Sequence, residues 1–591
     1  MTNQEIAEIL DHISKILSIK GENPFKVRAY SKAAQIIGSL PYQLSSVGDK
    51  GRIMELPGIG EGIAKKVTEL LETGKLKYYE DLKKSDYAPL TEFLDIPGMG
   101  PKHARLVYDE LGIDNLQDLK KAAEQGKLRS LRGLGQRVEM NILQGIQQLQ
   151  KYKERHPLAF IYPRAQEILE HLRGVKEIER ITLAGSLRRM RETIADVDIL
   201  ASSTQPERVM EPFVALPQAK RVISKGKTKS SILTRDGFQV DLRVVQPESY
   251  GAACHYFTGS KAHNIRIRSL GLKKGLKINE YGVFKNEKRI AGRREEEIFG
   301  AVQLPYIPPE LREDRGEIEA ALEGRLPALV EMEDIKGDLH VHSNWSDGNS
   351  TIEEMAEAAV KRGYEYIAIC DHSQSLGIAR GLTEDRLAEQ LKEIENLNKR
   401  LRKFKVLSGI EVDVKADGGL DMDKGILRQL DIVVAAVHSK FNLSAKEMTK
   451  RLVRAIENPL VHIIAHPTGR LIGKRAAYPL DLSKVFDACR ANGKVLELNA
   501  HPERLDLSDL NCREAQDKGV MIAISTDAHM AAQLDLIKFG VATARRGWIR
   551  PGSVINTLPL SRLLAFLKRS WLRDNTPPSR GESGFLGRHQ G

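Results

Sequence analysis

The stretch GDLHVHSNWSDG (337–348) sets Asp338, His340 and His342 at alternate positions of an apolar run and follows them with Asp347. Alternate residues of a strand share a face, so His340 and His342 project together, with Asp347 in the loop just beyond. That arrangement suits a metal ion. Six more apolar runs follow: YIAICDHS, VLSGIEVDV, DIVVAAVHS, VHIIAHP, VLELNAH and MIAISTDAH. Each has a His, Asp or Glu at or near its C-terminal end. A second set of candidate ligands stands far upstream. Asp196-x-Asp198 puts two carboxylates on one strand face, and Asp241 adds a third from another strand, FQVDLRVV. Three converging carboxylates can hold two Mg²⁺ ions, which stabilise an attacking oxygen and a leaving phosphate in phosphoryl transfer.

The elements that must position these groups are legible around them. After residue 336 the apolar runs alternate with helical stretches, the pattern of a parallel α/β barrel whose strand C-termini converge on one face. Ser350 or Thr351 caps the first of its helices, with Glu353 and Glu354 in the first turn and Gly363 at the end. Upstream, Gly185-Ser186 stands at a strand end shortly before Asp196. Three short echoes open the chain: LPGIGEGIAKKV (56–67), IPGMGPKHARLV (96–107) and LRGLGQRVEMNI (131–142). Each is an apolar residue, a Gly-x-Gly turn and a helical pattern. Residues 305–336 are proline-punctuated and acidic and read as a connector between two halves. The last twenty residues, rich in Pro, Gly and Ser, read as a disordered tail.

A chain of 591 residues exceeds one core, and 41% hydrophobic with 29% charged residues marks it as globular. No apolar run is long enough to span a bilayer. The start, MTNQEIAEILDHISKIL, has Ile6, Ile9, Leu10, Ile13, Ile16 and Leu17 at helical spacing and no basic start or cleavage site, so a cytoplasmic protein is expected. Cys254, Cys370, Cys489 and Cys512 are scattered, which excludes a disulfide framework and a thiolate zinc site. The net charge of +12 is concentrated: residues 221–290 hold 15 Lys/Arg against 5 Asp/Glu. A phosphate-rich partner, nucleic acid first, follows from that concentration.

The three echoes resemble the helix-hairpin-helix motif, in which Gly58, Gly60, Gly98, Gly100, Gly133 and Gly135 would let backbone N–H groups approach DNA phosphates without reading bases. His340, His342, Asp347, His372, Glu411, His438, His466, Asp527 and His529 resemble the metal site of the PHP (polymerase and histidinol phosphatase) domains, with all nine ligand positions filled. The resemblance implies one metal on His340, His342, Glu411 and Asp527. It implies a second on Glu411, His438 and His466, and a third on Asp347, His372 and His529. Nitrogen and oxygen ligands suit up to three Zn²⁺ or Mn²⁺. His501, beside Arg504 at a strand end, is placed to line the substrate mouth.

Gly-Ser at this spacing before Asp-x-Asp, with a third Asp, resembles the nucleotidyltransferase superfamily. YFTGSKAHNIRIR (256–268) narrows the resemblance to the family X DNA polymerases, from the N-terminus to about residue 315. The resemblance implies that Asp196, Asp198 and Asp241 hold Mg²⁺ or Mn²⁺. Gly185, Ser186 and Arg189 would bind the triphosphate. Tyr256 and Phe257 would abut the incoming sugar on a turn shaped by Gly259 and Ser260. Lys261, Asn264 and Arg268 share a helix face, with Asn264 toward the nucleotide and Arg268 toward the template. ENPFKVRAYSKAAQII and the first hairpin resemble the lyase domain of polymerase beta, with Lys66 where that domain has its Schiff-base lysine. Two positions depart from the pattern: Gly62 replaces a basic residue, and Ala195 replaces glycine before the first Asp.

The architecture expected is multidomain: a helical helix-hairpin-helix N-terminal region, an α+β nucleotidyltransferase palm with a thumb/nucleotide-binding subdomain, and a C-terminal distorted (β/α)7 PHP barrel. The boundaries expected are 1–85 lyase-like, 86–150 hairpin DNA-binding, 151–245 palm, 246–315 nucleotide-selecting, 316–335 linker, 336–570 PHP and 571–591 tail. The expected activity is gap-filling DNA synthesis in base excision repair from dNTPs on gapped or primed duplex. The PHP half would remove 3′-terminal nucleotides and cut at damaged (AP) sites, in a monomer. A small-molecule PHP phosphatase and a non-catalytic DNA scaffold are the alternatives. The hairpins and the basic stretch argue against the first, and the intact carboxylates and nine ligand positions against the second.

Overall fold

The computed structural model describes residues 3–38, 44, 53, 56, 58–96, 98–153 and 155–572. The expected tail lies outside these residues from 573 onward. Helix α1 (Asn3–Lys20) buries Ile6, Leu10, Ile13, Ile16 and Leu17 in a small core that includes the facing side of α2 (Pro24–Gly38). Three further helices, α3 (Glu61–Thr73), α4 (Pro101–Leu111) and α5 (Gln136–Lys153), each begin just after a Gly-x-Gly turn. The first glycine of each turn has φ near +90°: Gly58 +90°, Gly98 +88° and Gly133 +89°. L side chains avoid that region, so the repeat of glycine is a backbone requirement.

After α6 (Leu158–Arg173) comes a five-stranded sheet of β1 (Arg180–Leu183), β2 (Asp196–Ser202), β3 (Ala219–Lys225), β4 (Lys229–Thr234) and β5 (Gln239–Val245). Its spatial order is β1-β2-β5-β4-β3, and β2 runs parallel to β5. The one-turn helix α7 (Gly185–Arg188) joins β1 to the segment leading into β2. Helices α8 (Tyr250–Thr258) and α9 (Lys261–Lys273) lead to a small antiparallel sheet of β6 (Lys277–Asn279), β7 (Gly282–Lys285) and β8 (Lys288–Ala291).

The second half is a seven-stranded parallel sheet in sequential order. Its strands are β9 (Gly337–Val341), β10 (Tyr366–Ile369), β11 (Lys405–Asp413), β12 (Ile432–Ala436), β13 (Ile463–Ile464), β14 (Val495–Asn499) and β15 (Ile522–Ser525). Residues just past β15 return to β9: the His342 amide donates to the Ala528 carbonyl at 2.8 Å, and the Asp527 amide to the His340 carbonyl at 3.0 Å. The sheet thus closes nearly into a barrel at the end that carries the histidines. Thr351, the N-cap of α10 (Ile352–Lys361), forms a capping box with Glu354.

The connector is packed. Ile307, Leu311, Ile318 and Leu329 belong to the core under β6–β8, while Val330 and Ile335 belong to the barrel core. Glu317 is buried and lies 2.8 Å from His263 Nδ1. Nor are the two halves separate: Ile472, Leu505 and Phe539 of the barrel side complete the palm core.

Candidate active sites

Parallel pairing of β2 with β5 sets Asp198 directly beside Asp241 and Asp196 beside Gln239. The expected acidic triad therefore stands on adjacent strands. Burial pushes the Asp198 carboxyl up to about 7, reinforced by the charges of Asp196 and Asp241. Burial acts the same way on Asp241. There, hydrogen bonds from Lys229, Gln239 and Ser231 win and hold its carboxyl below the ordinary range, with Lys229 Nζ 2.7 Å away. Gly185 has φ +59°, and a Cβ there would stand 2.2 Å from Asp198 Oδ2. Only a glycine lets α7 lie this close to the Asp198 carboxylate.

The nucleotide side is less uniform than the sequence implies. Tyr256 and Phe257 end α8 as a half-buried edge-to-face pair with centroids 5.1 Å apart. A Cβ on Gly259 would meet Asn264 Oδ1 at 2.5 Å, so the turn is glycine for the sake of Asn264. Ser260 caps α9 by accepting from the His263 amide. Lys261 and Arg268 are exposed, whereas Asn264 is buried and donates to the Tyr256 carbonyl at 2.6 Å. Arg189 is the clear departure: it is buried, paired with Glu313 at 3.0 Å and donating to the Thr258 carbonyl at 2.6 Å. Its guanidinium is turned to the thumb, where Glu313 and the Thr258 carbonyl hold it.

In the hairpins, a Cβ on Gly60, Gly100 or Gly135 would meet nothing within 4 Å. The protein itself does not demand glycine there, so the open space above these helix starts is where a ligand backbone can approach. Lys66, on α3, donates to the Gly62 carbonyl at 3.2 Å and lies 5.2 Å from the Tyr78 ring centroid. It lines a shallow pocket of about 430 Å³ with Lys65, Lys77 and Tyr78.

At the barrel mouth all nine expected side chains converge. His340 Nε2 and His342 Nε2 are 3.1 Å apart, and His342 Nε2 is 3.1 Å from Asp527 Oδ1. Glu411 lies at the centre, with His372 Nδ1 at 2.7 Å, His466 Nε2 at 3.0 Å and His438 Nε2 at 3.3 Å. Asp347 meets His529 at 3.3 Å and His372 at 3.5 Å. Burial alone would raise Glu411 and Asp527. The histidine charges around them instead hold both well below the usual carboxylate range.

Among the described residues, atoms able to share one cation fall into three groups: His342-Asp347-His372-His529, His340-His342-Asp527 and His372-Glu411-His438. The partition differs from the expected one, since His342 and His372 each serve two groups. Asp338 does not join the cluster. The register of β9 shifts between Asp338 and Val341, and Asp338 accepts instead from Thr526 Oγ1 at 2.6 Å.

The donor set fits metal ions. The buried atoms His342 Nδ1, His372 Nδ1 and Glu411 Oε2 have no hydrogen-bond partner. His372 Nδ1 approaches Glu411 Oε2 without hydrogen-bond geometry, as two ligands of one cation do. His466 and Asp527 also hold positive φ, +28° and +55°, a strain typical of functional positions. The mouth opens into a cleft of about 1210 Å³ whose walls include His501, Arg504, Asn349, His12 of α1 and Phe160 of α6. His501 thus lines the mouth of this cleft.

Family models match four segments. They are a helix-hairpin-helix domain at 1–76, a SAM-like helix-hairpin-helix tandem at 90–148, the DNA polymerase beta thumb at 253–313 and the PHP domain at 338–501. The chain is 42% identical over 576 residues to the DNA polymerase/3′-5′ exonuclease PolX of Bacillus subtilis (strain 168), covering 96% of this chain and 100% of that protein. The chain belongs to the PolX family. Its second half is also similar to probable phosphatases. That of Thermoanaerobacter sp. (strain X514) is 30% identical over 243 residues, 39% of this chain and 94% of that protein. That of Acetivibrio thermocellus is 32% identical over 206 residues, 33% of this chain and 80% of that protein. The PolX match spans both halves, and the phosphatase matches only one.

Sequence reasoning missed the residues that orient the ligands of this PolX-family chain. Glu497 Oε1 is 2.7 Å from His340 Nδ1, and Glu497 Oε2 accepts the His466 amide at 2.7 Å. Asp413 Oδ1 is 3.3 Å from His438 Nδ1, and Asn499 donates to Asp527 at 3.1 Å. Such partners fix the ring orientation of a ligating histidine. The signal was present: Glu411-x-Asp413 and Glu497-x-Asn499 repeat the alternate spacing of His340-x-His342.

Proposed function

We propose that this chain is a gap-filling DNA polymerase of family X whose barrel is a 3′–5′ exonuclease, acting as a cytoplasmic monomer on gapped or primed duplex. The observation that carries the reading is the coexistence, in one PolX-family chain, of an acidic triad beside a glycine-cleared turn and a nine-residue His/Asp/Glu cluster. Asp196, Asp198 and Asp241 would hold Mg²⁺ or Mn²⁺, with Ser186, Tyr256, Phe257, Asn264 and, once released, Arg189 around the nucleotide. Lys261 and Arg268 would meet the DNA. The glycines of the three hairpins would hold the duplex by its phosphates, which makes binding indifferent to sequence and steeply salt-dependent. Among the described residues, no helix is long and apolar enough to cross a membrane.

In the barrel, His340, His342, Asp347, His372, Glu411, His438, His466, Asp527 and His529 would hold up to three Zn²⁺ or Mn²⁺. Such ions, when bound, lower the pKa of water and stabilise the charge that develops on a phosphodiester. The chain's own part is positional. Glu497, Asp413 and Asn499 hold the ligands in place, and the cleft walls admit a strand end while His501 and Arg504 face its phosphate. Cleavage at AP sites would use the same centre. Lys66 would act as a lyase nucleophile on an incised AP site, beside Lys65 and Lys77 as phosphate contacts.

Incubating the intact protein with a 3′-labelled gapped duplex and each metal tests the reading. Elongation by one or a few nucleotides with dNTPs and shortening without them is expected. Release of phosphate from small monoesters, with the DNA end left intact, would favour the phosphatase alternative.

A further inference from the structure

The palm, thumb and barrel meet in a buried set of charges at the end of α11 (Ile537–Arg546). Glu313, 7% exposed, has Arg189 Nε at 3.0 Å, Arg546 Nη1 at 3.0 Å and Arg191 Nη1 at 3.4 Å. Arg546, 6% exposed, also donates to the Arg189 carbonyl at 2.8 Å and pairs with Asp509 at 2.9 Å. Asp509 in turn pairs with Arg315 at 3.0 Å. Four arginines thus share two carboxylates. Arg191 and Arg315 reach solvent, so the buried part of the set is Arg189 and Arg546 with Glu313 and Asp509, and an Arg189 that leaves must be replaced.

Arg189 is the mobile candidate in the set. It stands directly after α7, the turn that Gly185 presses against Asp198, yet its side chain is spent on the thumb. For it to reach a nucleotide, Glu313 must be left behind in a buried place. Stranding a buried carboxylate is strongly unfavourable unless another cation stays with it. Arg546 is that cation: it already contacts the same Oε1 atom that Arg189 does, and Asp509 fixes its other nitrogen. Arg191 contacts the other oxygen, at longer range and from a more exposed position, and is the weaker substitute.

We propose that Arg546, a residue of the nuclease barrel, is a positioning residue of the polymerase. It retains Glu313 when Arg189 leaves the thumb to meet the triphosphate of the incoming nucleotide. The proposal rests on the reading of Arg189 as a triphosphate ligand. It makes the barrel a working part of the nucleotide site, so nucleotide affinity depends on a side chain of the other enzyme.

Steady-state gap filling by the full-length protein, with one template base and its dNTP varied, tests this. R189Q should raise the KM for dNTP, which establishes the underlying reading. R546Q should raise it about tenfold while kcat stays within about twofold. The 3′–5′ exonuclease of the same preparation should be unchanged. R546K keeps a charge but cannot span Glu313 and Asp509 together, so its rise should be intermediate; it decides the matter if R546Q does not fold. Removing the anion that traps Arg189, in the double variant E313Q/R546Q, should return KM to the wild-type value. An unchanged KM in R189Q overturns the ligand reading and the proposal with it. A raised KM in R189Q with no change in R546Q and R546K overturns the proposal alone. Parallel loss of kcat and exonuclease without rescue by E313Q makes the network merely structural and also overturns it.

Discussion

Gly185→Ala is the sharpest single test of how the palm builds its carboxylate site. The added Cβ would stand 2.2 Å from Asp198 Oδ2 and 3.1 Å from its Cγ. Non-bonded heavy atoms settle at about 3.5 Å, so the carboxylate must retreat by about 1.3 Å. A misplacement of about 1 Å at a reacting centre can cost ~10²-fold in rate. The backbone adds its own strain, since φ is +59° and alanine in the left-handed region costs about 1–2 kcal/mol. Gly237→Ala separates the two effects: its φ is +89°, but nothing lies within 4 Å of the new Cβ. Single-turnover gap filling should therefore fall about a hundredfold in G185A and little in G237A, while both lose about 1–2 kcal/mol of stability to the backbone and G185A loses more through the clash. Exonuclease activity should be retained in each. Near-wild-type extension by G185A, or an equal loss in G237A, would refute the claim that this glycine exists to clear Asp198.

Three further outcomes follow from the same structure. Removing metal by chelation should lower the melting temperature of the full-length protein, because Glu411, Asp347 and Asp527 are held among buried histidines that need a cation; unchanged melting of protein shown to be metal-free would contradict this. Glu295 is nearly buried between Arg188 and Arg312. Burial opposes its ionisation, but these arginines prevail and lower its pKa from 4.5 to about 2. Its folded pKa lies below its unfolded one, so the contribution is full above pH 4.5 and fades as pH falls toward 2. E295Q should thus cost about 3 kcal/mol in urea unfolding at pH 7 and less at pH 3, and an equal cost at both would contradict the assignment. D413N removes the negative charge 3.3 Å from His438 Nδ1 and should reduce exonuclease activity by about 10–100-fold, with gap filling retained; equal loss of both activities would show a folding defect instead.

Much of this molecule is written in local spacing. Strand alternation made His340 and His342 visible, glycine at φ near +90° made the hairpins visible, and Asp196-x-Asp198 announced the palm. Each of these signals is a rule about neighbours in the chain. What escaped depends on residues far apart. Arg189 reads as a nucleotide ligand by its place after Gly185-Ser186, but Glu313 and Thr258, over sixty residues away, hold it. The connector reads as loose because of its prolines, yet Ile307, Leu311 and Ile318 pack in one core and Val330 and Ile335 in another. Ile472, Leu505 and Phe539 look like ordinary barrel residues, and only the docked palm explains their burial. A register shift in β9, invisible to an alternation rule, turned Asp338 away from the metal cluster while keeping both histidines in it.

The central claim is that two chemistries reside in two sites of one chain. The direct measurement follows nucleotide addition and 3′-end removal by the full-length protein on one 3′-labelled gapped duplex, comparing the D196A/D198A variant with H342A. The account predicts that D196A/D198A loses addition and keeps removal. H342A, which takes a ligand from two of the three cation groups, should lose removal and keep addition. Loss of 3′-end removal in folded, metal-loaded D196A/D198A, or intact removal in H342A, would contradict it.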